Sequence, residues 1–374
     1  MLKNLRLHIV ISSLTIILIG SIATYLSQSH PKETFPSVTA TTNKIEHPSI
    51  KPSTEGFFVD DGFDENTRHN IYFVNITTKE RTALTHYPTE GVTQPENVQA
   101  IDDNYLGFNR CHVMEGNLNC GIYTLQWRDG SEPKELVHLD KNTSVDSLRF
   151  LNQNTFAFTS DQSDDDLNTW TELYLFQNGR LELLKKFEYK KLFSDSSIEA
   201  FSDALQFSSD SKEVSLLLNP RGRYSSTQIF TANIESKKIR KTEDSQMEGS
   251  TAYFPCREEN TITEDIQSLA NKYIYWIDKG NGETFLCDGN TGQSTLLISD
   301  ASHPIWLSET KILISKFDHG VYSEEGRTNG FTQSVGVYDI TKHTLEPFFE
   351  RGEVEGQLII SSSIPHQSEF SVSL

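Results

Sequence analysis

A chain of 374 residues with 36% hydrophobic and 10% aromatic side chains can build one large all-β domain or two ordinary ones. Its formal net charge of −19, with no stripe of clustered Lys and Arg, excludes a phosphate-neutralising nucleic-acid surface. The one dense basic stretch, Lys237, Lys238, Arg240 and Lys241, reads as a solvated strand edge that resists pairing with another chain.

In chain order, Lys3 and Arg6 precede an apolar run from Leu7 to about Leu26 that has no charged side chain. Such a run is close to a membrane span, and the flanking charge places residues 1–6 inside and the rest outside the cytoplasm. Ser21-Ile22-Ala23 also fits a small-x-small cleavage site, so residues 1–26 read as a signal anchor or a signal peptide. Residues 27–55, rich in Ser, Thr, Pro and Lys, read as a flexible tether that cannot offset the entropy of ordering.

From residue 56 onward the sequence has a period. Asn75, Gln126, Gln177, Asn233, Asp288 and Asp339 stand 51, 51, 56, 55 and 51 residues apart at expected hairpin turns. Three residues before the first five lies an aromatic: Tyr72, Tyr123, Tyr174, Phe230 and Phe285. A fixed period of this size signals a repeat architecture.

The third repeat shows the unit. Leu148-Arg149-Phe150 is a short strand, Asn152-Gln153-Asn154 a turn, and Phe156–Asp161 a second strand. Glu172–Phe176 follows, and Asn178-Gly179 turns the chain into Leu181–Leu184. The fourth repeat has the same order through Ala204–Phe207, Val214–Leu218 and Gln228–Ala232. Four strands per unit predict four-stranded antiparallel blades, six in all. A two-sheet sandwich is the alternative, but it does not explain the spacing. Leu358-Ile359-Ile360 sits where a further innermost strand is expected and is assigned to closing the first blade.

Four cysteines fit an oxidising compartment. Cys111 and Cys120 flank the loop 112–119 and are expected to form a disulfide across one hairpin. Cys256 and Cys287 fall within one repeat, as a second bridge or as buried thiols.

Phe158-Thr159-Ser160-Asp161, Glu172-Leu173-Tyr174 and Phe207–Lys212 resemble the WD40-like repeat of the TolB-like β-propellers, over about residues 56–362. The match lacks the Pro and Gly of the family's Ser-Pro-Asp-Gly turn, and the sixth repeat has Gly336 in place of the aromatic. The resemblance implies an all-β six-bladed propeller at 56–374 and adds cell-envelope partners. Residues 27–55 are too short and polar to be the extra N-terminal domain of TolB, so that protein's own partners are not carried over. Propellers host unrelated activities, so the fold by itself is silent on function.

Alternating connections place the loops after each second strand on one face with the links between blades. These are the long loops, at 61–69, 109–120, 162–171, 219–227 and 317–333. Asp161, Trp170, Arg221, Arg223, Tyr224, Tyr322 and Arg327 are the candidate binding residues there. Large rings give contact area at low entropic cost, and arginines pair carboxylates. The run Asp164-Asp165-Asp166 offers oxygen ligands to calcium, but it lacks the Gly and distal Glu of an EF-hand and reads as a plain acidic loop. No Cys or His spacing suggests a metal site, and no Gly-x-Ser-x-Gly elbow is present; Gly292-Gln293-Ser294-Thr295 fails at its second Gly. Asn75-Ile76-Thr77 and Asn142-Thr143-Ser144 match glycosylation sequons.

The sequence therefore favours a monomeric, extracytoplasmic, membrane-tethered module. It is expected to bind a protein, a peptide or a cell-envelope glycan, to need no cofactor and not to be an enzyme. The alternative is a propeller enzyme, a hydrolase or lyase, with a metal or acid–base site in the central channel. Carboxylates or histidines converging on the channel mouth with perturbed pKa values would favour that alternative.

Overall fold

A computed structural model describes residues 50–374 apart from 52–53, 61–69, 88–91, 115–116, 141–142, 165–167, 194–199, 209, 221–227, 243–255, 257–262, 278–281, 318–331, 351–356, 366–368 and 374. The chain divides into two units, Met1–Ile45 and Glu46–Leu374, and only the second falls among the described residues. The expected membrane helix and most of the tether lie outside them. No helix among the described residues is long and apolar enough to cross a membrane.

The described chain is nearly all β. It runs through β1 (Gly56–Asp60), β2 (Ile71–Asn75) and β3 (Arg81–Ala83), then β4 (Val92–Ala100), β5 (Tyr105–Met114), β6 (Asn117–Gln126) and β7 (Lys134–His138). The third sheet holds β8 (Ser147–Asn152), β9 (Thr155–Ser163), β10 (Thr169–Gln177) and β11 (Arg180–Glu188), and a helical turn, Tyr189–Leu192, follows it. Next come β12 (Ala200–Phe207), β13 (Glu213–Pro220), β14 (Gln228–Asn233) and β15 (Ile239–Thr242), then β16 (Thr263–Leu269), β17 (Lys272–Ile277), β18 (Glu283–Asp288) and β19 (Gln293–Ser299). The sixth set is β20 (Ala301–Ser308), β21 (Lys311–Phe317), β22 (Thr332–Asp339) and β23 (Thr344–Glu350). The chain ends with β24 (Gln357–Ser362) and β25 (Glu369–Ser373).

These strands form six antiparallel sheets; five pair their strands in chain order, and the first has the order β25-β24-β1-β2-β3. The first strand of a sheet touches the first strand of a neighbour: β4 meets β8, β8 meets β12, β16 meets β20, and β20 meets β24. The sheets thus meet along their first strands, as the blades of a six-bladed propeller do. The expected closure is present. In β24, Ile360 lies opposite Val59 and Ser362 opposite Phe57, so the C-terminal strand becomes the inner strand of the first sheet. The sequence did not foresee β25, which pairs with the other edge of β24 and makes this sheet five-stranded.

The periodic anchors have a local cause. Each stands opposite the first described residue of its neighbouring strand, at the turn into the outermost strand; Asn75 faces Gly56 and Asp339 faces Lys311. The Oδ1 atoms of Asn75, Asn233, Asp288 and Asp339 accept backbone N–H groups two or three residues on. A short polar side chain is what such an Asx turn requires. Four residues after an anchor the backbone turns left-handed, at Lys79 (φ 58), Gly130 (φ 69), Lys237 (φ 58), Gly292 (φ 67) and His343 (φ 53). The third repeat instead makes a tight two-residue turn with Asn178 at φ 54 and Gly179 at φ 77.

The aromatic before the anchor packs across its own sheet in three repeats, whereas Phe230 packs on Phe187 of the preceding sheet. Tyr123 stacks on Phe108 with ring centroids 5.5 Å apart, and Tyr174 stacks on Phe158 at 4.7 Å. Gly336 departs from the pattern because Leu345 covers it: a Cβ there would lie 2.6 Å from Leu345 Cδ1. The core lies between sheets. Phe58, Phe73 and Trp127 meet between the first and second, with Trp127 stacked on Phe73 at 5.1 Å and edge-on to Phe58 at 5.1 Å. Fully burying such a ring contributes about 1.5–3 kcal/mol.

Both cysteine pairs are bridged. Cys111 and Cys120 face each other on β5 and β6 with Cα atoms 4.0 Å apart, as expected. Cys256 bonds Cys287 of β18 with Cα atoms 6.0 Å apart, which resolves the pairing that the sequence leaves open. Two disulfides suit an oxidising, extracytoplasmic setting.

Candidate acid–base site

The inner strands are irregular at one level. The register shifts between Glu96 and Gln99 in β4, Ser202 and Ala204 in β12, Glu264 and Gln267 in β16, and Ser302 and Ile305 in β20. At two of these bulges, Asn97 (φ 54) and His303 (φ 50) adopt left-handed backbone. Bulges re-aim side chains and concentrate at barrel rims and beside active sites. In the third sheet the backbone N–H of Asp146, just before β8, bonds Thr159 O at 2.9 Å. Three carboxylates collect between these inner strands: Glu96, Asp146 and Asp161.

Glu96 Oε2 accepts Asn109 Nδ2 at 3.3 Å, and Asn97 Nδ2 donates to Asn109 Oδ1 at 2.8 Å. Asn109 is fully buried, so its amide is held rigidly. Burial raises the Glu96 carboxyl above its ordinary value, the Asn109 bond opposes this, and the Asp146 charge adds to it. Asp146 Oδ2 accepts the Asp161 backbone N–H at 2.6 Å and the Ser144 hydroxyl at 2.8 Å. Its carboxyl is also raised, first by burial, against the Asp161 N–H, with the Asp161 charge pushing further upward. Asp146 is nevertheless open to water, the combination expected where protein surrounds a solvated concavity.

Asp161 Oδ1 accepts the hydroxyl of Thr171 at 2.5 Å and that of Tyr189 at 3.3 Å. Thr171 and Tyr189 also bond each other. Both are buried, and burial followed by the Asp161 charge drives the Tyr189 phenol far up, so it stays a proton donor. Chemically, the cluster offers carboxyls that keep a proton at higher pH than usual beside a fixed neighbouring carboxylate, which is the equipment of general acid–base catalysis.

Of the residues singled out in the sequence, Asp161 lies in this cluster. Trp170 does not join it. Neighbours on a strand point to opposite faces, and Thr171 takes the face of Asp161. Trp170 instead lies under Lys186, whose Nζ is 3.4 Å from the ring centroid, and donates its Nε1–H to Glu172 at 3.1 Å. Arg221, Arg223, Tyr224, Tyr322 and Arg327 lie outside the described residues. Asp164 closes its own loop by accepting Asn168 N and Nδ2, each at 2.8 Å. Among the described residues no three His, Cys, Asp or Glu side chains are placed to hold a metal. Sequence reasoning missed Glu96, Asp146 and Tyr189. The available signal for Glu96 was a charge inside an otherwise strand-like stretch, Glu96-Asn97-Val98-Gln99-Ala100.

No protein-family model matches the chain, the TolB-like repeat included, and no curated protein matches it by sequence. Solved structures match it at low similarity. An oligogalacturonate lyase from Vibrio parahaemolyticus has a TM-score of 0.45 and 8% identity over 86% of this chain and 91% of its own. A prolyl endopeptidase structure has a TM-score of 0.40 and 9% identity over 85% of this chain and 47% of its own. A puromycin hydrolase has a TM-score of 0.40 and 10% identity, covering 75% of this chain and 42% of its own. The matched structures are a lyase and peptidases, against the expectation of a non-enzymatic module that binds through its long-loop face. A likeness this distant carries no argument; the raised carboxyls of Glu96 and Asp146 are the ground for the chemistry.

Proposed function

We propose that the propeller is an enzyme, a hydrolase or lyase, whose acid–base groups are Glu96 and Asp146. The observation that carries this reading is that both carboxyls are raised by burial at the inner strands while Asp146 stays open to water. In a hydrolysis, the protonated member gives its proton to the leaving group and the ionised member takes one from water. In an elimination, the ionised member takes a proton from carbon. Asp161, fixed by Thr171 and Tyr189, opposes ionisation of Asp146 and so preserves its proton. Three carboxylates in a chain of net charge −19 suit a neutral or cationic substrate better than a polyanion. Two disulfides support an extracytoplasmic workplace, with residues 1–26 as the proposed anchor or export signal.

The test is turnover by the full-length protein of neutral and amino-bearing oligosaccharides and of short peptides, read as new reducing ends, new double bonds or new amines. Glu96→Gln and Asp146→Asn are each expected to lower kcat/KM by about 10²–10⁴-fold, the usual share of one acid–base group, with cooperative folding retained and the melting temperature not lowered. Wild-type turnover by both variants would sink the assignment.

A further inference from the structure

Arg110 stands apart from this site. It lies on β5 opposite Pro95 of β4 and Gly121 of β6. Because Asn109 turns toward Glu96, Arg110 takes the other face of the sheet, the one shared with Phe108 in the core between the first two sheets. Arg110 is only 6% exposed. Its guanidinium carbon sits 3.4 Å from the centroid of the Tyr87 ring. Asn70 secures that ring, accepting the Tyr87 N–H at 2.6 Å and the Thr85 hydroxyl at 3.1 Å.

Among the described residues, Nε and Nη2 of Arg110 have no hydrogen-bond partner of good geometry, and the Tyr87 hydroxyl has no hydrogen-bonding neighbour but the guanidinium itself. Cation–π stacking satisfies the flat face of the guanidinium but none of its N–H groups. A buried charge without a counter-ion costs several kcal/mol, and buried donors are almost always paired. The two free nitrogens are adjacent on one edge of the planar group. That edge presents two parallel N–H bonds, the fork that carboxylate and phosphate oxygens fit bidentately.

We propose that Arg110, backed by Tyr87, is an oxyanion-binding site. Its ligand presents two oxygens of one carboxylate or phosphate group to Nε and Nη2, and the Tyr87 hydroxyl is placed to donate a further bond. The site is independent of Glu96 and Asp146, which lie on the opposite face of the sheet.

The experiment titrates the full-length protein with acetate, inorganic phosphate or chloride at fixed ionic strength and follows the melting temperature. A saturable rise with acetate or phosphate but not chloride is expected, and the better of the two identifies the oxyanion class. Arg110→Lys keeps the charge but loses the fork, and is expected to weaken that response at least about tenfold, the range of one charge-assisted bidentate contact. An unchanged response in Arg110→Lys, or no saturable response in the wild type, overturns the proposal. Should that variant fail to fold, the Arg110 Nε–H resonance of the wild-type protein decides: a saturable shift with the oxyanion supports the site, and a resonance unmoved by both anions refutes it.

Discussion

Asp146 and Asp339 carry the same side chain and accept similar hydrogen bonds, yet their carboxyls move in opposite directions. At the outer turn, Asp339 takes the Thr341 hydroxyl at 2.7 Å and the N–H groups of Thr341 and Lys342 at 3.0 Å each, led by Thr341 in holding its carboxyl far below the ordinary range. At the inner strands, Asp146 also accepts an N–H and a hydroxyl, but burial outweighs both and Asp161 adds repulsion. At Asp339 the hydrogen bonds to the charged form decide; at Asp146, although it is open to water, desolvation by the surrounding protein and the like charge of Asp161 outweigh them. The outer turns therefore stabilise the charged carboxylate, and the inner strands favour its protonated form.

The comparison breaks most visibly if the inner edge is removed. Deleting residues 356–374 takes away β24 and leaves β1 without its inner partner, so a cooperative loss of the folded state is expected in a thermal melt. An unchanged transition would show that closure of the first sheet does not matter. Next comes Trp127→Ala, beside the second outer turn, where a fully buried ring stacks on Phe73. The expected cost is about 3–5 kcal/mol by denaturant titration, because stability at the outer end depends on the rings that enter the core.

Asp146→Asn sharpens the contrast through pH. A carboxyl raised by folding holds its proton more tightly in the folded chain than in the unfolded one, so stability falls as pH rises from the unfolded value through the higher folded value. The Asn side chain keeps an acceptor for the Asp161 N–H and avoids the buried charge. The variant is expected to melt higher than wild type at neutral pH, with the gain vanishing in acid below both values. Asp339→Asn has the opposite sign: its lowered carboxyl stabilises above the unfolded value, and that contribution disappears as pH falls through the folded one. Loss of stability at neutral pH, absent in strong acid, is the outcome to look for. The smallest effect is expected at Asn233→Ala, about 1 kcal/mol for one turn hydrogen-bond set, measured by the shift of the denaturant midpoint.

The turns were legible because their chemistry is local. An Asn or Asp bonds the next few N–H groups without help from distant residues, so the anchors recur in the sequence as they do in space. The strand order within each repeat and the closure by Leu358-Ile359-Ile360 follow from the same period. The bulges in β4, β12, β16 and β20 were not read from the sequence; Pro304, which cannot donate to a strand ladder, was the one local signal for the shift between Ser302 and Ile305. Nor was β25, which depends on an edge of β24 that exists only after closure. Asp161 was visible as part of a Ser-Asp motif, but its partner Tyr189 stands in the helical turn beyond β11, 28 residues away.

By itself, the sequence determined the six-fold repetition, the turn chemistry and the reach of the Cys111–Cys120 bridge, each a matter of neighbouring residues. Tertiary structure alone decided which carboxylates meet. Stacking one blade on the next brings residues one period apart into contact: the Phe150 N–H bonds the Gln99 side chain, and Gln153 bonds Asp102, each pair 51 residues apart. Glu96 and Asp146 are neighbours by that same operation. Their raised carboxyls are a property of burial and of neighbouring charge, Asp146 acting on Glu96 and Asp161 on Asp146, and burial arises only when the blades close on one another.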